Sequence, residues 1–203
     1  MFGQVFQGQV TDARQVRQLL DDWVERLAPG AEGWLGTTAG VTEDGTFVGV
    51  ARFESAESAQ RNSGRTQQGE WWSAMSKLFA GETVFHNCSQ ADVARGGGSD
   101  QAGFVQVIQG RTDDIARVRE VVSVFDKRFS DLRPDLLGIL SCIHDGEDGA
   151  FTRVVYFVSE EEARITEQQE PPPEVAEVLR EGNRIMQDVR YYDLREPWLY
   201  SPR

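Results

Sequence analysis

The chain has 203 residues, 39% of them hydrophobic, which is enough for the core of one large domain or of two domains of about 100 residues. Its formal net charge of -12 repels phosphate groups, so nucleic acids and anionic membranes are excluded as expected partners. The first ten residues lack the features of a secretory signal, no apolar run approaches the roughly 18 residues of a membrane span, and two cysteines are too few for a disulfide framework. We therefore expect a cytoplasmic protein.

The start of the chain predicts a strand, a helix and a β-hairpin. Residues 2–10 alternate between apolar and polar side chains, as a half-buried strand does. Asp12 can cap the following helix, whose apolar residues recur at helical spacing over 16–27. Two further apolar segments flank Asp44 and Gly45, a pair that suits the positive φ of a hairpin turn.

Two helical segments and a strand complete the first half of the chain. Ser55 can cap a short helix, and a second helical stretch is predicted over roughly residues 69–80. The segment TVFHNCSQ, residues 83–90, is predicted as a closing strand. The first half therefore has the order β-α-β-β-α-β.

The second half repeats the first at a distance of 102 residues. Five residues of FGQVFQG recur in FVQVIQG, where Phe2, Gln4, Val5, Gln7 and Gly8 match Phe104, Gln106, Val107, Gln109 and Gly110. Leu35-Gly36 matches Leu137-Gly138, and two extra residues in the second hairpin precede the later matches. Matches that keep their order along a whole half indicate an internal duplication.

The repeat predicts the same elements in the second half. Apolar residues recur at helical spacing in its first helix, at Val118, Val122, Phe125 and Phe129. Ser159 and Glu162 have the spacing of a capping box, and Trp198 and Tyr200 are expected to pack the tail across the surface. We predict a first unit over 1–93, a flexible glycine-rich linker over 94–102, and a second unit with the tail over 103–203.

The predicted fold is α+β. A β-α-β-β-α-β unit is ferredoxin-like, and its helices cover only one face of its sheet. The bare face has to be buried against another layer. We therefore predict two fused ferredoxin-like units that pack their antiparallel sheets face to face, as an intramolecular dimeric α+β barrel. Such a chain is expected to be a monomer with an internal pseudo-twofold axis.

This pattern resembles the dimeric α+β barrel superfamily, and within it the antibiotic-biosynthesis-monooxygenase-like (ABM-like) branch. The resemblance is carried by the repeated element order, by the hairpin into TFVGVARFES, and by the aromatic helix in RTQQGEWWSAMSKLF. It covers nearly the whole chain. Members of the superfamily include cofactor-free monooxygenases, haem-degrading enzymes, muconolactone isomerases and proteins of unknown role, and the fold does not select among them.

The resemblance implies a catalytic pocket in the first unit, formed by Asn62, Trp72 and His86. An asparagine amide could hold a developing oxyanion on a phenol or quinol, and an indole could stack on its ring. The second half has no corresponding set, and Gln4 stands on the first strand, where haem-degrading members carry asparagine. The alternative is that the tryptophans are core and rim residues and that Asn62 only ends a helix.

Four residues are candidates for ligand binding: Gln4, Phe6, Trp71 and Gln106. Gln4 and Gln106 occupy matching positions on strands that are expected to be central, and a buried amide needs a partner. They would either contact a ligand in an apolar cavity or bond to each other or to the backbone across the pseudo-twofold axis.

A second possible site contains both histidines and both cysteines of the chain. His86 and Cys88 lie two residues apart, as do Cys142 and His144, so each pair shares one face of a strand. If the two strands are edges that meet, the four side chains predict a zinc site. The alternative is that each cysteine is a small buried apolar residue.

The function that we expect is that of a small-molecule protein with an apolar pocket and no cofactor, apart from the zinc option. One hypothesis is a cofactor-independent, ABM-like monooxygenase acting on an aromatic metabolite. The alternative is a non-catalytic ligand-binding or structural protein on the same scaffold.

Overall fold

The computed structural model describes residues 1–129 and 132–202, without the side chains of residues 125–129. It divides the chain into two compact units. Unit 1 comprises Met1–Ala91 and the tail from Glu196, and unit 2 comprises Asp92–Arg195. The tail, which we predicted as part of the second unit, therefore belongs to unit 1.

The observed elements follow the predicted order in each half. The first half contains β1 (Phe2–Gln9), α1 (Ala13–Arg26), β2 (Trp34–Val41), β3 (Thr46–Phe53), α2 (Ala56–Ser63), α3 (Thr66–Met75), β4 (Val84–Cys88) and β5 (Gln90–Ala94). The second half contains β6 (Phe104–Arg111), α4 (Ile115–Phe129), β7 (Leu136–Ile143), β8 (Ala150–Phe157), α5 (Glu160–Gln168), α6 (Pro173–Ile185), β9 (Gln187–Leu194) and β10 (Trp198–Tyr200). Phe125 and Phe129, predicted for the apolar stripe of α4, have side chains outside the described part of the chain.

Unit 1 is built on a five-stranded antiparallel sheet with the strand order β10-β2-β3-β1-β4. Its four strands β2-β3-β1-β4 with their helices form a ferredoxin-like unit, as predicted. The fifth strand is the tail, which pairs with β2 and places Trp198 opposite Ala39. The tail, which we expected to pack across the surface, is therefore an edge strand of the unit 1 sheet.

Local signals explain why the helices and the hairpin of unit 1 begin and turn where they do. Asp12 is the N-cap of α1, and its carboxylate accepts a hydrogen bond from the Gln15 backbone N–H at 3.0 Å. Ser55 caps α2 in the same way. Gly45 has a φ of 85° between β2 and β3, a conformation that costs glycine little.

Unit 2 repeats this architecture in a sheet with the order β5-β7-β8-β6-β9. Phe104 lies opposite Phe157, as Phe2 lies opposite Phe53 in unit 1. Both sheets also shift register at the matched glycines, Gly36 and Gly138. From unit 1 to unit 2, Phe2 shifts by 102 positions to Phe104 and its partner Phe53 by 104 positions to Phe157. The strand register therefore contains the two extra residues that the sequence placed in the second hairpin.

The glycine-rich segment after β5 differs from the predicted flexible linker. Gly97 is buried, and its carbonyl oxygen lies against Gly138 on β7. A Cβ on Gly138 would lie 1.7 Å from that oxygen, so only glycine fits there. Residues 90–97 therefore form a strand that pairs with β7 and a packed turn. In the described part of the chain, no helix is both long and apolar enough to cross a membrane.

The helices of unit 1 cover the sheet face that carries Phe6 and Phe47. One cluster of buried side chains fills the space between these layers: Phe6, Val16, Leu20, Ala39, Phe47, Met75, Phe79 and Trp198. A second cluster lies beside it and includes Trp23, Trp34 and Phe53. The cavity described below lies among residues of these two clusters.

Candidate functional site

Unit 1 contains a cavity of about 260 Å³ between its sheet and its helices. The sheet contributes Gln4, Phe6, Trp34, Thr37, Ala51, Phe53 and Phe85, and the helices contribute Leu20, Trp23, Asn62, Ser63, Gln68, Gly69, Trp71 and Trp72. Seven of these fifteen residues are tryptophan or phenylalanine. A mostly apolar cavity with few polar groups is the usual form of a small-molecule site.

Strand register sets which residues reach the cavity from the sheet. Gln4 lies opposite Ala51 on β3, and Phe6 lies opposite Phe85 on β4. Because alternate residues of a strand point to opposite faces, these side chains share the face that the helices cover. The face combines an amide from β1 with aromatic rings from β1 and β4.

Aromatic contacts hold the walls of the cavity. The Trp72 and Phe85 rings meet edge to face with centroids 5.0 Å apart, and Phe85 stacks on Phe6 at 6.0 Å. On the other side, the Trp23 ring meets the Trp34 ring at 5.1 Å. The Trp71 indole N–H donates to the Leu19 carbonyl oxygen at 2.8 Å. These contacts fix the orientation of the rings that a planar ligand would meet.

A hydrogen-bonded chain of amides forms the polar part of the cavity. The Arg65 guanidinium donates to Asn62 Oδ1 at 2.9 Å, and Asn62 Nδ2 donates to Gln68 Oε1 at 3.3 Å. The Trp23 indole N–H donates to the same Gln68 oxygen at 2.6 Å. Arginine and the indole N–H can only donate, so they determine which atom of each amide is oxygen and which is nitrogen.

This network leaves donor capacity at the cavity. Gln68 Oε1 accepts two hydrogen bonds, and Gln68 Nε2 donates none within the described part of the chain. Asn62 Nδ2 has a second hydrogen beyond the one it gives to Gln68. Gln68 was not among the predicted site residues. Its position one helical turn before Trp71 and Trp72 was the available signal.

The cavity has no group that could act as an acid or base near neutral pH. None of the described residues that line it is Asp, Glu, His, Lys, Arg, Cys or Tyr. Arg65 acts from behind Asn62, where it also donates to the Leu27 carbonyl oxygen at 3.0 Å. The arrangement can therefore stack on a ring and donate hydrogen bonds to an oxygen atom, but a proton has to leave the ligand by another route.

The structure brings together five of the predicted site residues. Gln4, Phe6, Asn62, Trp71 and Trp72 all line the cavity. Their roles in binding and catalysis remain predictions.

His86, predicted as the third catalytic residue, is not brought together with Asn62 and Trp72. It lies on β4 directly after Phe85, opposite Val5 on β1. Because Phe85 faces the cavity, strand alternation places His86 on the other face of the sheet. The prediction that His86 acts together with Asn62 and Trp72 is therefore wrong, because His86 lies on the opposite face of β4 from the cavity.

Gln106, predicted as a ligand-binding residue, belongs to unit 2. Its amide donates to Asp193 Oδ1 at 2.8 Å, and the matching Gln4 amide donates to Asn87 Oδ1 at 3.0 Å. In each unit the glutamine thus bonds to a side chain on the neighbouring strand. The expected bond from one glutamine to the other, or to backbone, is replaced by these two bonds.

The four residues predicted for a zinc site are divided between the units. His86 and Cys88 lie on β4, an edge strand as expected, and Cys142 lies on β7, with His144 just after it. The expectation that β7 is also an edge is wrong, because β5 covers it. Both cysteines are buried, and His144 Nε2 lies 2.8 Å from Thr152 Oγ1. The zinc site remains a prediction.

Comparisons with known proteins bear on the fold. No protein-family model matches the chain, and no curated protein matches it. A solved structure described as a putative monooxygenase, from Lactobacillus acidophilus, has a TM-score of 0.75 at 9% identity, with 98% of each chain covered. An anthrone oxidase-like protein has a TM-score of 0.63 at 8% identity, with 98% of this chain and 90% of that chain covered.

A third solved structure links the fold to the resemblance seen in the sequence. A ferredoxin-fold protein from Listeria monocytogenes, described as related to antibiotic biosynthesis monooxygenases, has a TM-score of 0.51 at 12% identity, covering all of this chain and 95% of that chain. At these identities the likeness concerns the fold. The prediction of a fused, duplicated ferredoxin-like fold is confirmed.

Proposed function

From a chain with the fold of ABM-like ferredoxin proteins, we propose that unit 1 binds a planar aromatic metabolite and promotes its reaction with O2 as a cofactor-independent monooxygenase. The observation that carries the proposal is the cavity itself. It combines rigid indole and phenyl rings with an amide pair, Asn62 and Gln68, that is already oriented by Arg65 and Trp23. Groups that are held in place before the ligand arrives need little rearrangement to stabilise a developing charge.

In this proposal the aromatic walls bind the ring and the amides bind its oxygen. Trp72 and Phe85 meet edge to face, which leaves ring surface for a planar ligand to contact. Gln68 Nε2 and the second hydrogen of Asn62 Nδ2 donate to a carbonyl or phenolate oxygen. Negative charge that develops on this oxygen is stabilised in a cavity with few other polar groups.

Anthrone is a suitable probe, because one protein with this fold is described as anthrone oxidase-like. Loss of a proton from the CH2 carbon gives an enolate, whose electrons reduce O2. The carbon loses two hydrogens and gains one oxygen atom as a carbonyl group, and the second oxygen atom leaves as water. Water takes the first proton, since the described lining residues offer no base.

That same absence of a titratable lining residue favours a second candidate, a ligand-binding protein without catalysis. Such a protein needs the rings and the amides for affinity and selectivity alone. The two candidates predict the same binding but different effects on O2.

Oxygen uptake in the presence of anthrone separates these candidates. We would measure O2 consumption and anthraquinone formation with and without protein, and binding of anthraquinone by quenching of tryptophan fluorescence. The variants are Gln68→Ala and, as a matched control, Gln67→Ala, whose side chain is exposed on the same helix.

The proposed enzyme accelerates oxidation above buffer, with one O2 consumed per anthraquinone formed. Gln68→Ala should lower the acceleration about ten-fold or more, as loss of an oxyanion donor does, while Gln67→Ala leaves it unchanged. Saturable binding without acceleration would support the ligand-binding protein instead. If the protein neither binds anthraquinone nor accelerates the oxidation, both candidates are overturned for this class of compound.

A further inference from the structure

Arg153 on β8 of unit 2 is a partly buried cation that has no counter-charge among the described residues. Arg153 lies opposite Ile108 on β6 and opposite Ser141 on β7. Ile108 packs against a cluster that includes Ala163 of α5, and Val122 of α4 packs against the same cluster, so this face of the sheet is the one that the helices cover. The Arg153 Nε atom is buried, and it has no hydrogen-bond partner within the described residues.

The other half-buried arginines of unit 2 have partners. They are Arg95, bonded to the Arg133 carbonyl oxygen, and Arg117, Arg119, Arg133 and Arg164, paired with Glu181, Asp92, Asp135 and Asp193 respectively. For Arg153, the described part of the chain supplies neither an ion pair nor a hydrogen bond. The guanidinium is therefore an exception among the described half-buried arginines of unit 2.

Unit 1 has no side chain at the corresponding place. Gly49 lies opposite Phe6, just as Arg153 lies opposite Ile108. A Cβ on Gly49 would come within 2.5 Å of the Phe6 ring, which occupies this space. In unit 2 the ring is replaced by the smaller Ile108, and the freed space receives a charged side chain.

Burial of this cation has a cost that its neighbours offset only in part. Burial lowers the pKa of Arg153 below its usual value. The Phe151 ring lies 5.7 Å from the guanidinium carbon and offers a cation–π contact. A ring face does not accept hydrogen bonds from the N–H groups of a guanidinium. The side chain therefore retains unused donors, which lie in the plane of the guanidinium.

We propose that the helix-covered face of the unit 2 sheet binds a small organic carboxylate through the Arg153 guanidinium, with the Ser141 hydroxyl as a second donor. Two parallel N–H groups of arginine match the two oxygens of a carboxylate. Directly opposed residues on neighbouring strands have Cβ atoms about 4.5–5.5 Å apart, so Ser141 is close enough to share the same ligand.

The surroundings favour a carboxylate with an apolar body. Ile108, Phe151 and Val155 lie on the same face as Arg153. Apolar side chains can cover a hydrocarbon group, whereas a more heavily hydrated phosphate loses more on entry. This site is independent of the proposed function of unit 1 and uses none of its residues.

Benzoate is a suitable probe, and benzyl alcohol is its uncharged counterpart. We would follow the arginine side-chain Nε–H resonances and the backbone amide resonances of Ile108 and Ser141 by NMR during titration with each compound. The titrations use a Trp72→Ala background, so that binding in the aromatic cavity of unit 1 does not contribute. The variants are Arg153→Gln and, as a control, Arg119→Gln, which breaks a more exposed ion pair with Asp92.

The proposal predicts a saturable shift of the Arg153 resonance with benzoate and none with benzyl alcohol. Arg153→Gln should weaken benzoate binding about ten-fold or more, and Arg119→Gln should leave it unchanged. Arg153→Met tests the fold, because removing an unpaired buried charge should raise the melting temperature. Equal binding in Arg153→Gln, or no saturable shift in the parent protein, would overturn the proposal.

Discussion

Trp72 joins the cavity of unit 1 to the packed core beside it. It is only half-buried, and its ring contacts Phe6, Phe79 and Phe85 at centroid distances of 6.3, 6.2 and 5.0 Å. The ring both packs against the core cluster and lines the cavity. The same ring therefore allows binding and stability to be measured separately.

We predict that Trp72→Ala removes binding of anthraquinone while lowering the free energy of unfolding by less than about 3 kcal/mol, since truncation of a fully buried Trp costs about 3–5 kcal/mol. Urea denaturation and fluorescence quenching measure the two effects. Trp198→Ala is the comparison, because Trp198 is 7% exposed in the core and does not line the cavity. If Trp72→Ala proved as destabilising as Trp198→Ala, Trp72 would be a core residue.

The resemblance to the ABM-like branch was sufficient to predict part of the cavity lining. Asn62, Trp71 and Trp72 lie on consecutive helices, and their types are those of an aromatic pocket. The position of His86 could not be predicted, because an alternating strand shows two faces without showing which one the helices cover. That choice depends on the pairing of Phe6 with Phe85. Gln68 was missed for a similar reason, since its partner Trp23 is 45 positions away in the sequence.

At the scale of elements, the tail strand β10 stands out because it belongs to the sheet of unit 1. Trp198 packs on Phe47 at 6.2 Å, and the Arg17 guanidinium lies 6.0 Å from the Trp198 ring. Tyr200 donates its hydroxyl hydrogen to Asp21 of α1 at 2.7 Å. Burial, followed by this hydrogen bond, raises the pKa of Tyr200 above its ordinary value.

Tyr200→Phe should therefore change stability at alkaline pH. A raised folded-state pKa gives a stabilisation that is complete below the unfolded value of about 10 and is lost as pH rises above it. The variant should lose about 1 kcal/mol at neutral pH and should lack this alkaline decline. Thermal denaturation between pH 8 and about 11 measures the alkaline decline in stability. The control is Tyr191→Phe, because the Tyr191 side chain is exposed. Equal alkaline declines in the parent and in Tyr200→Phe would contradict this account.

The helices and the main strands were predictable from local signals, whereas the two added strands were not. Asp12, Ser55 and Ser159 all cap helices, as their positions indicated. β5 and β10 are five and three residues long, too short for a periodic pattern to be distinctive. Each is also defined by its pairing with β7 or β2, and such pairing depends on the tertiary structure rather than on propensity.

At the scale of the whole molecule, the net charge of -12 coexists with carboxylates that the fold stabilises in their ionised form. The hydroxyl hydrogen bonds from Thr42 and Thr46, with the Thr46 backbone N–H, lower the pKa of Asp44. The Gln15 backbone N–H does the same for Asp12. The repeat in the sequence predicted two units of like architecture, and the cap follows it, because Asp114 of unit 2 accepts a hydrogen bond from the Arg117 backbone N–H at 2.9 Å.

Acid should therefore destabilise the protein in a defined range. A lowered folded-state pKa stabilises the fold above the unfolded value of about 3.9, and this contribution is lost as pH falls through the folded value. We predict that Asp44→Asn is less stable than the parent at neutral pH and loses less stability below about pH 4. Urea denaturation across this range measures the difference, with the exposed Glu25→Gln as control. A parallel acid decline in Asp44→Asn and the parent would contradict the prediction.

The pairing of β10 with the sheet of unit 1 has a consequence for biosynthesis. Unit 1 needs β10 to cover the β2 edge of its sheet, yet β10 follows all of unit 2 in the chain. While the ribosome translates the intervening hundred or so residues, β2 presents unpaired backbone groups to other nascent chains. Unit 1 therefore begins to fold first but is completed last. The protein should therefore need a chaperone most while unit 2 is being translated, when unit 1 has already left the ribosome without β10.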